Sequence, residues 1–168
     1  MRNRLLEGQA EQLGALPWPE RFPLPAAYRL VAWQAGYTAA AERLGAPPEL
    51  QAATRSPLQE PAVSLALLAR EALVGWLIVD RTGPASMRYS SLFVAPGHRG
   101  RGQALHLLVE GFRRQAAAGI PLARAAVGPD SQAMLRLVHR HLRDQLSRIT
   151  IARASRIQLS SVSGTKER

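Results

Sequence analysis

The apolar positions along this chain follow two periods, and the switches between them outline its elements. Leu5, Leu6, Leu13 and Leu16, with Gln9 between them, fall near helical spacing and predict a short amphipathic helix over residues 1–16. Residues 17–25 carry four prolines, which remove backbone donors and fix φ, so this stretch predicts an extended connector with Trp18 and Phe22 as anchors. Tyr28 to Trp33 is rich in strand formers. Tyr37 to Leu44 predicts a helix stopped by Gly45 and Pro47-Pro48, and a second short helix follows over Pro48 to Thr54. Ala62 to Leu68 and Leu73 to Val79 predict a hairpin around Ala69-Arg70-Glu71-Ala72, a turn that lacks the usual Asn-Gly or Asp-Gly.

After a turn at Thr82-Gly83-Pro84, Met87 to Val94 predicts a strand. Gly102 to Ala117 carries a helical stripe of Leu105, Leu108, Val109 and Phe112. Leu122 to Val127 predicts a strand, Ser131 to Leu142 a helix, and Ser147 to Leu159 mostly strand, with a polar tail from Ser160. The order is strand, helices, three strands, helix, strand, helix, strand. That is an α/β (α+β) sheet with helices packed on it, and the unit from Met87 to Val127 is expected to be a right-handed crossover between parallel strands. The expected organisation is an N-terminal helix and proline-rich connector over residues 1–25, a main domain over 26–160 and a flexible tail over 161–168.

Composition narrows the function classes. At 168 residues the chain suits a domain with a full core. No apolar run approaches the ~20 residues needed to cross a bilayer, so a membrane partner is not expected. The first residues lack the apolar stretch of a signal peptide. The chain has no cysteine, which excludes disulfides, a cysteine nucleophile and thiolate metal sites, and fits a cytoplasmic protein. The formal net charge is +10, and Lys166 is the only lysine, so the charge is almost all arginine. Such a field attracts an anionic partner. Scarce aromatics and scattered arginines argue against a nucleic-acid platform, whereas a phosphate-rich small molecule accounts for the charge directly.

The candidate chemistry sits in Arg99-Gly100-Arg101-Gly102-Gln103-Ala104, between a predicted strand and a predicted helix. First-turn N–H groups have no partner inside a helix, and the helix dipole adds partial positive charge there. Glycines allow phosphate oxygens to approach, so the segment predicts a pyrophosphate cradle, with His98, Arg99 and Arg101 adding cations. It is not a Walker loop, because no Gly-Lys-Ser/Thr follows. It also lacks the third glycine and the acidic ribose partner of a dinucleotide fingerprint.

Val94-Ala95-Pro96-Gly97-His98-Arg99-Gly100-Arg101-Gly102-Gln103-Ala104-Leu105 resembles the acyl-CoA loop of the GNAT superfamily of N-acetyltransferases. Arg99, Gly102 and Ala104 match the family's core pattern of Arg or Gln, two residues, Gly, one residue, then Gly or Ala. The resemblance runs from about Ala62 to Leu142, and it implies a mixed central sheet flanked by helices. It implies that acetyl-CoA, or another acyl-CoA, donates a short acyl group to a small-molecule or peptide amine by direct attack in a ternary complex. Backbone groups of Leu92, Phe93 and Val94 would pair with the pantetheine arm. Backbone N–H groups of Arg99, Gly100, Arg101, Gly102, Gln103 and Ala104 would hold the pyrophosphate. The Val94 N–H would polarise the thioester carbonyl. Ser131 takes the place where an Asn often begins the next helix, and its other reading is a plain helix cap.

The resemblance fails at one position. Many family members carry a tyrosine seven residues after that Asn, as acid to the leaving thiolate, and here the count lands on Val138. Another acid substitutes, the thiolate leaves unassisted, or the chain is an inactive acyl-CoA-binding or partner module. His141 is the candidate acid, on a helix face with Met134, Leu137 and Val138, while His139 is expected to be rotated away. Two such histidines do not form a metal site, and no metal is expected. Ser90 or Arg88 is expected to line the acceptor pocket, with Ser90 a candidate catalytic group in addition to His141. Arg88 is also a candidate for recognising an acidic acceptor. Asp80 reads as a turn residue and Tyr89 as core. The N-terminal segment is expected either to dock on a partner or to pair with a second copy as a homodimer.

Overall fold

The computed structural model describes residues 2–129 and 131–153. Its seven strands are β1 (Arg2–Gln9), β2 (Tyr28–Ala32), β3 (Leu65–Ala69), β4 (Ala72–Arg81), β5 (Ser86–Val94), β6 (Leu122–Val127) and β7 (Leu146–Arg153). The helices are α1 (Ala10–Gly14), α2 (Trp18–Arg21), α3 (Thr38–Glu42), α4 (Pro48–Ala53), α5 (Gln103–Ala117) and α6 (Gln132–Leu137), the last running into a π-helical turn over Val138–Leu142. They form a mixed α/β architecture around one sheet of order β2-β3-β4-β5-β6-β1-β7. Only β5 and β6 run parallel, and α5 makes the crossover between them. The expected α/β sheet flanked by helices is therefore what the chain builds.

The N-terminus departs from expectation. Residues 2–9 are a strand, and only Ala10 to Gly14 are helical. β1 lies between β6 and β7 and is antiparallel to both. Leu6 is opposite Ala125 on one side and Ile149 on the other, so the pleat turns Leu6 and Gly8 to the core. Cross-strand burial overrides the helical spacing of the leucines. A side chain at Gly8 would place its Cβ 2.7 Å from a Leu13 methyl, which also explains the glycine. The proline-rich stretch is not wholly extended either. Trp18–Arg21 makes one helical turn with proline in its first positions, where the missing N–H costs nothing. The tail over 161–168 lies outside the described residues.

The β3–β4 hairpin forms as expected, with Arg70 (φ 48°) and Glu71 (φ 69°) both left-handed in its two-residue turn. β4 runs on to Arg81, so Asp80 is inside the sheet opposite Arg88 and not in a turn. Between β4 and β5 the register shifts: Ile78 faces Ser91 and Val79 faces Tyr89, leaving Ser90 as the extra residue of a bulge.

Two layers cover the sheet. On one face α5 packs so closely that a Cβ at Gly111 would lie 2.6 Å from a Leu77 methyl. There Tyr89, as expected, is core: its hydroxyl donates to Gln115 Oε1 at 2.7 Å, and burial pushes its phenol well above the usual value. On the other face Trp76 packs against Phe93 and Trp33, and its Nε1 donates to Ser91 Oγ at 2.9 Å. Ser91 Oγ in turn donates to the Leu50 carbonyl of α4.

Candidate active site

Sheet pairing itself opens a slot. β5 and β6 pair only at Ser86, Met87 and Arg88 with Leu122, Ala123 and Arg124. Beyond that register β5 continues to Val94 along β4, and β6 continues to Val127 along β1. The facing edges of residues 89–94 and 125–127 thus have no strand between them. The slot closes at Arg88 and Arg124 and opens toward the loop that follows β5.

That loop is built on two left-handed glycines, Gly100 (φ 87°) and Gly102 (φ 80°), which bring the backbone into the start of α5. A Cβ at Gly100 would meet nothing, whereas one at Gly102 would lie 2.7 Å from the Trp18 ring. The His106 N–H bonds the Gly102 carbonyl at 3.0 Å, and Gln103 Oε1 accepts from the Arg101 N–H at 3.1 Å. The N–H groups from Gly102 to Leu105 are thus left without helix-internal acceptors at the positive end of a 15-residue helix. Gln103 is buried, and its Nε2 has no hydrogen-bond partner among the described residues.

An open cleft of about 1180 Å³ lies over this loop. Val94, Arg99, Gly100, Gly102, Gln103 and Ala104 line one wall, and Leu135, His139 and His141 line the other. Trp18 and Phe22 roof it. The roof is anchored from below, because Arg113 of α5 donates to the Gly14 carbonyl at 2.7 Å and pairs with Glu20 at 2.8 Å. His106 Nε2 donates to the Phe22 carbonyl at 2.6 Å. Burial lowers the His106 pKa, partly offset by that bond.

Several expected residues are brought together here and others are not. Leu92 is half-buried, Phe93 and Val94 are buried, and all three lie on the β5 edge of the slot. Arg99 does not reach outward alone: its Nε donates to the Val94 carbonyl at 2.6 Å, and its guanidinium lies 5.5 Å from the Phe93 ring centroid. Arg101 and Gly100 are exposed. Ser131 precedes α6 but makes no side-chain cap bond, so the plain capping reading is not what the structure holds. His141 packs edge-on to Trp18 at 5.0 Å, and burial followed by the nearby Arg140 charge lowers its pKa. His139 also lines the cleft, contrary to expectation. Val138, at the tyrosine count, is buried.

Ser90 is not among the residues that wall this cleft. It sits in the bulge, at the closed end of the slot, and donates to Asp80 Oδ2 at 2.6 Å. Arg88 joins both groups, with Nη2 3.2 Å from Asp80 Oδ2 and Nε 3.2 Å from Ser90 Oγ. Asp80 is the residue that sequence reasoning missed. Its place two residues before Thr82-Gly83-Pro84 reads as a turn, and only the pairing with Arg88 shows otherwise. Among the described residues no group of three or more metal-ligating side chains gathers. No described helix is long and apolar enough to cross a membrane.

No protein-family model and no curated relative matches the sequence. Solved structures do match. A GCN5-related N-acetyltransferase from Sphaerobacter thermophilus aligns with 89% of this chain at 21% identity and TM-score 0.66, covering 49% of that chain. A tandem GNAT protein from the clavulanic acid biosynthesis pathway aligns with 82% at 18% identity and TM-score 0.61, covering 48% of its own length. AAC(6')-Iy, in complex with a CoA-linked bisubstrate analogue, aligns with 76% at 14% identity and TM-score 0.54, covering 98% of that chain. The chain thus has the fold of the GCN5-related N-acetyltransferases. It spans about half the length of the first two of these structures.

Proposed function

We propose that this chain is a GNAT-type acyltransferase that passes an acetyl or other short acyl group from acyl-CoA to an amine, by direct attack in a ternary complex. The observation that carries this reading is the slot between β5 and β6, which opens onto an anion-binding helix start. A molecule with a diphosphate at one end and an extended, amide-bearing arm at the other fits both parts. The residues present suit it: two left-handed glycines and unsatisfied first-turn N–H groups border the cleft, and Gln103, which also lines it, holds a buried Nε2 without a partner among the described residues.

In this reading the backbone from Arg99 to Ala104 holds the pyrophosphate. The open edge of Leu92, Phe93 and Val94 pairs with the arm, as an added strand would. Because the Val94 carbonyl already accepts from Arg99, the Val94 N–H is the group left to polarise the acyl carbonyl. Ser131, at the head of α6, borders the arm. His141, the candidate proton donor to the thiolate, packs on Trp18 over Gly102 and so stands at the phosphate end of the cleft, leaving the thiolate to be protonated by water. Bound acyl-CoA supplies an electrophilic thioester carbon, and the chain supplies position and polarity. The acceptor is a small molecule or a peptide amine, and the main domain is that of residues 26–160 completed by the strand at 2–9.

A second reading is a CoA-binding module without turnover. It is favoured by the buried Val138, which offers no proton, and by the desolvation that disfavours protonated His141. Calorimetry with acetyl-CoA tests the shared half, and binding is expected; no heat at millimolar ligand sinks both readings. Release of free CoA with a panel of amines then separates them.

A further inference from the structure

We infer that Ser90 and Asp80 form the proton-accepting pair for the attacking amine, with Ser90 as the catalytic residue and Asp80 behind it as the positioning residue that receives its proton. This inference rests on the acyl-transfer reading above and assigns the base that reading lacks.

The placement comes first. The slot is entered at the loop after Val94 and closes at the Arg88–Arg124 register. An arm anchored by its phosphates at Gly100–Ala104 runs down the β5 edge, so its reactive end reaches the closed end of the slot. Ser90 is the residue there, pushed out of register by the bulge and half-buried. Bulges re-aim a side chain in this way.

The chemistry of the pair comes next. Asp80 is 2% exposed, on a strand in the core of the sheet. A buried carboxylate is costly unless its oxygens are satisfied. Here both donors, Ser90 Oγ and Arg88 Nη2, fall on Oδ2, and Oδ1 is buried without a partner among the described residues. Unsatisfied buried groups in native folds call for an explanation. Ser90 gives its hydrogen to Asp80 and accepts from Arg88 Nε, which leaves one hydroxyl lone pair open. That lone pair takes a hydrogen bond from an amine N–H. Arg88 and Asp80 offset each other's charge, and it is the neutral amine, with its lone pair free, that attacks. Arg124, on the same sheet face, is already paired with Glu7 at 3.3 Å.

The step balances. The amine nitrogen lone pair forms a bond to the acyl carbon, and the carbon–sulfur bond breaks with its electron pair leaving on sulfur. The nitrogen proton passes to Ser90 Oγ as the Ser90 proton passes to Asp80 Oδ2. Sulfur takes a proton from water, and Asp80 returns its proton to solvent when product leaves.

The test compares wild type with Asp80→Asn, Asp80→Glu, Ser90→Ala and the double variant Asp80→Asn/Ser90→Ala. Acetyl-CoA binding is followed by calorimetry, and acetyl transfer is measured to propylamine, benzylamine and glycinamide. Wild type is expected to bind and transfer. Asp80→Asn and Ser90→Ala are expected to lower kcat by about 100-fold or more, with acetyl-CoA affinity within about two-fold of wild type. The double variant should fall no further than either single one, because both remove one relay. Asp80→Glu should recover part of the rate. A second readout is independent of turnover: the 13Cγ signal of Asp80 in the CoA complex should shift when propylamine is added to wild type, and not in Ser90→Ala. Asp80→Asn near wild-type rates, additive losses in the double variant, or an unmoved Asp80 signal overturns the relay and leaves the acyl-transfer reading standing. Wild type that binds acetyl-CoA and acetylates none of the three amines, or fails to bind it, removes the acyl-transfer reading, and the relay with it. A circular-dichroism melt of each variant separates loss of fold from loss of function.

Discussion

Two left-handed turns in this chain solve the same backbone problem with opposite side chains. The β3–β4 hairpin turns on Arg70 and Glu71, both with positive φ, and no glycine is used. The loop before α5 turns on Gly100 and Gly102. Left-handed backbone costs a non-glycine residue roughly 1–2 kcal/mol. The hairpin tolerates that cost because its strands pair over the full length of β3 and Glu71 reaches Arg29 at 2.7 Å. The loop does not, because Gly102 lies directly under Trp18 and the N–H groups beside it must remain reachable. Glycine is kept where the space above the backbone has a use.

Substitution at Gly102 breaks the comparison most sharply. Gly102→Val combines strained φ with a ring 2.7 Å from its Cβ, so the roof must move. It is expected to weaken CoA binding on the order of 100-fold, about 2.7 kcal/mol, and to destabilise by roughly 1–3 kcal/mol, both read from calorimetry and melting curves. Gly100→Ala isolates the backbone part, because no atom lies near its Cβ. It is expected to cost about 1–2 kcal/mol of stability and to weaken binding less than the Gly102 change does; an equal loss in the two would show that Trp18 is irrelevant.

The roof also makes the loop region pH-sensitive where the hairpin is not. Burial holds the His106 pKa below its unfolded value, so the unfolded chain binds more protons between the two values. Stability is therefore full above the unfolded histidine range and declines as pH falls below about 6.5. His141 acts in the same direction. Melting temperature measured from pH 7.5 down to 5 should drop, and His106→Asn should flatten the curve. The smallest effect is on the hairpin: Glu71→Gly relieves left-handed strain and is expected to change stability by less than about 1 kcal/mol, with CoA affinity unchanged.

What was legible in the sequence was what depends on neighbours along the chain. The phosphate loop could be read because glycines, a strand end and an amphipathic helix follow one another locally. The β3–β4 hairpin and α5 could be read for the same reason. The first strand could not: Leu5, Leu6, Leu13 and Leu16 satisfy a helical period, and only partners more than a hundred residues away make Leu6 a strand residue. Asp80 was hidden likewise, since its character comes from Arg88 and from a bulge that no local signal announces.

The position of β1 couples the two ends of the described chain. Among the described residues β7 bonds to the sheet only through β1, so deleting residues 2–9 strips two strands, not one. The β6-β1-β7 side of the sheet joins residues more than a hundred positions apart, and such distant pairings are the slow ones. Until they form, the outer margin of β6 stands bare, with the adhesive character of any unpaired strand. A change within residues 2–9 is thus also a change to the attachment of residues 146–153.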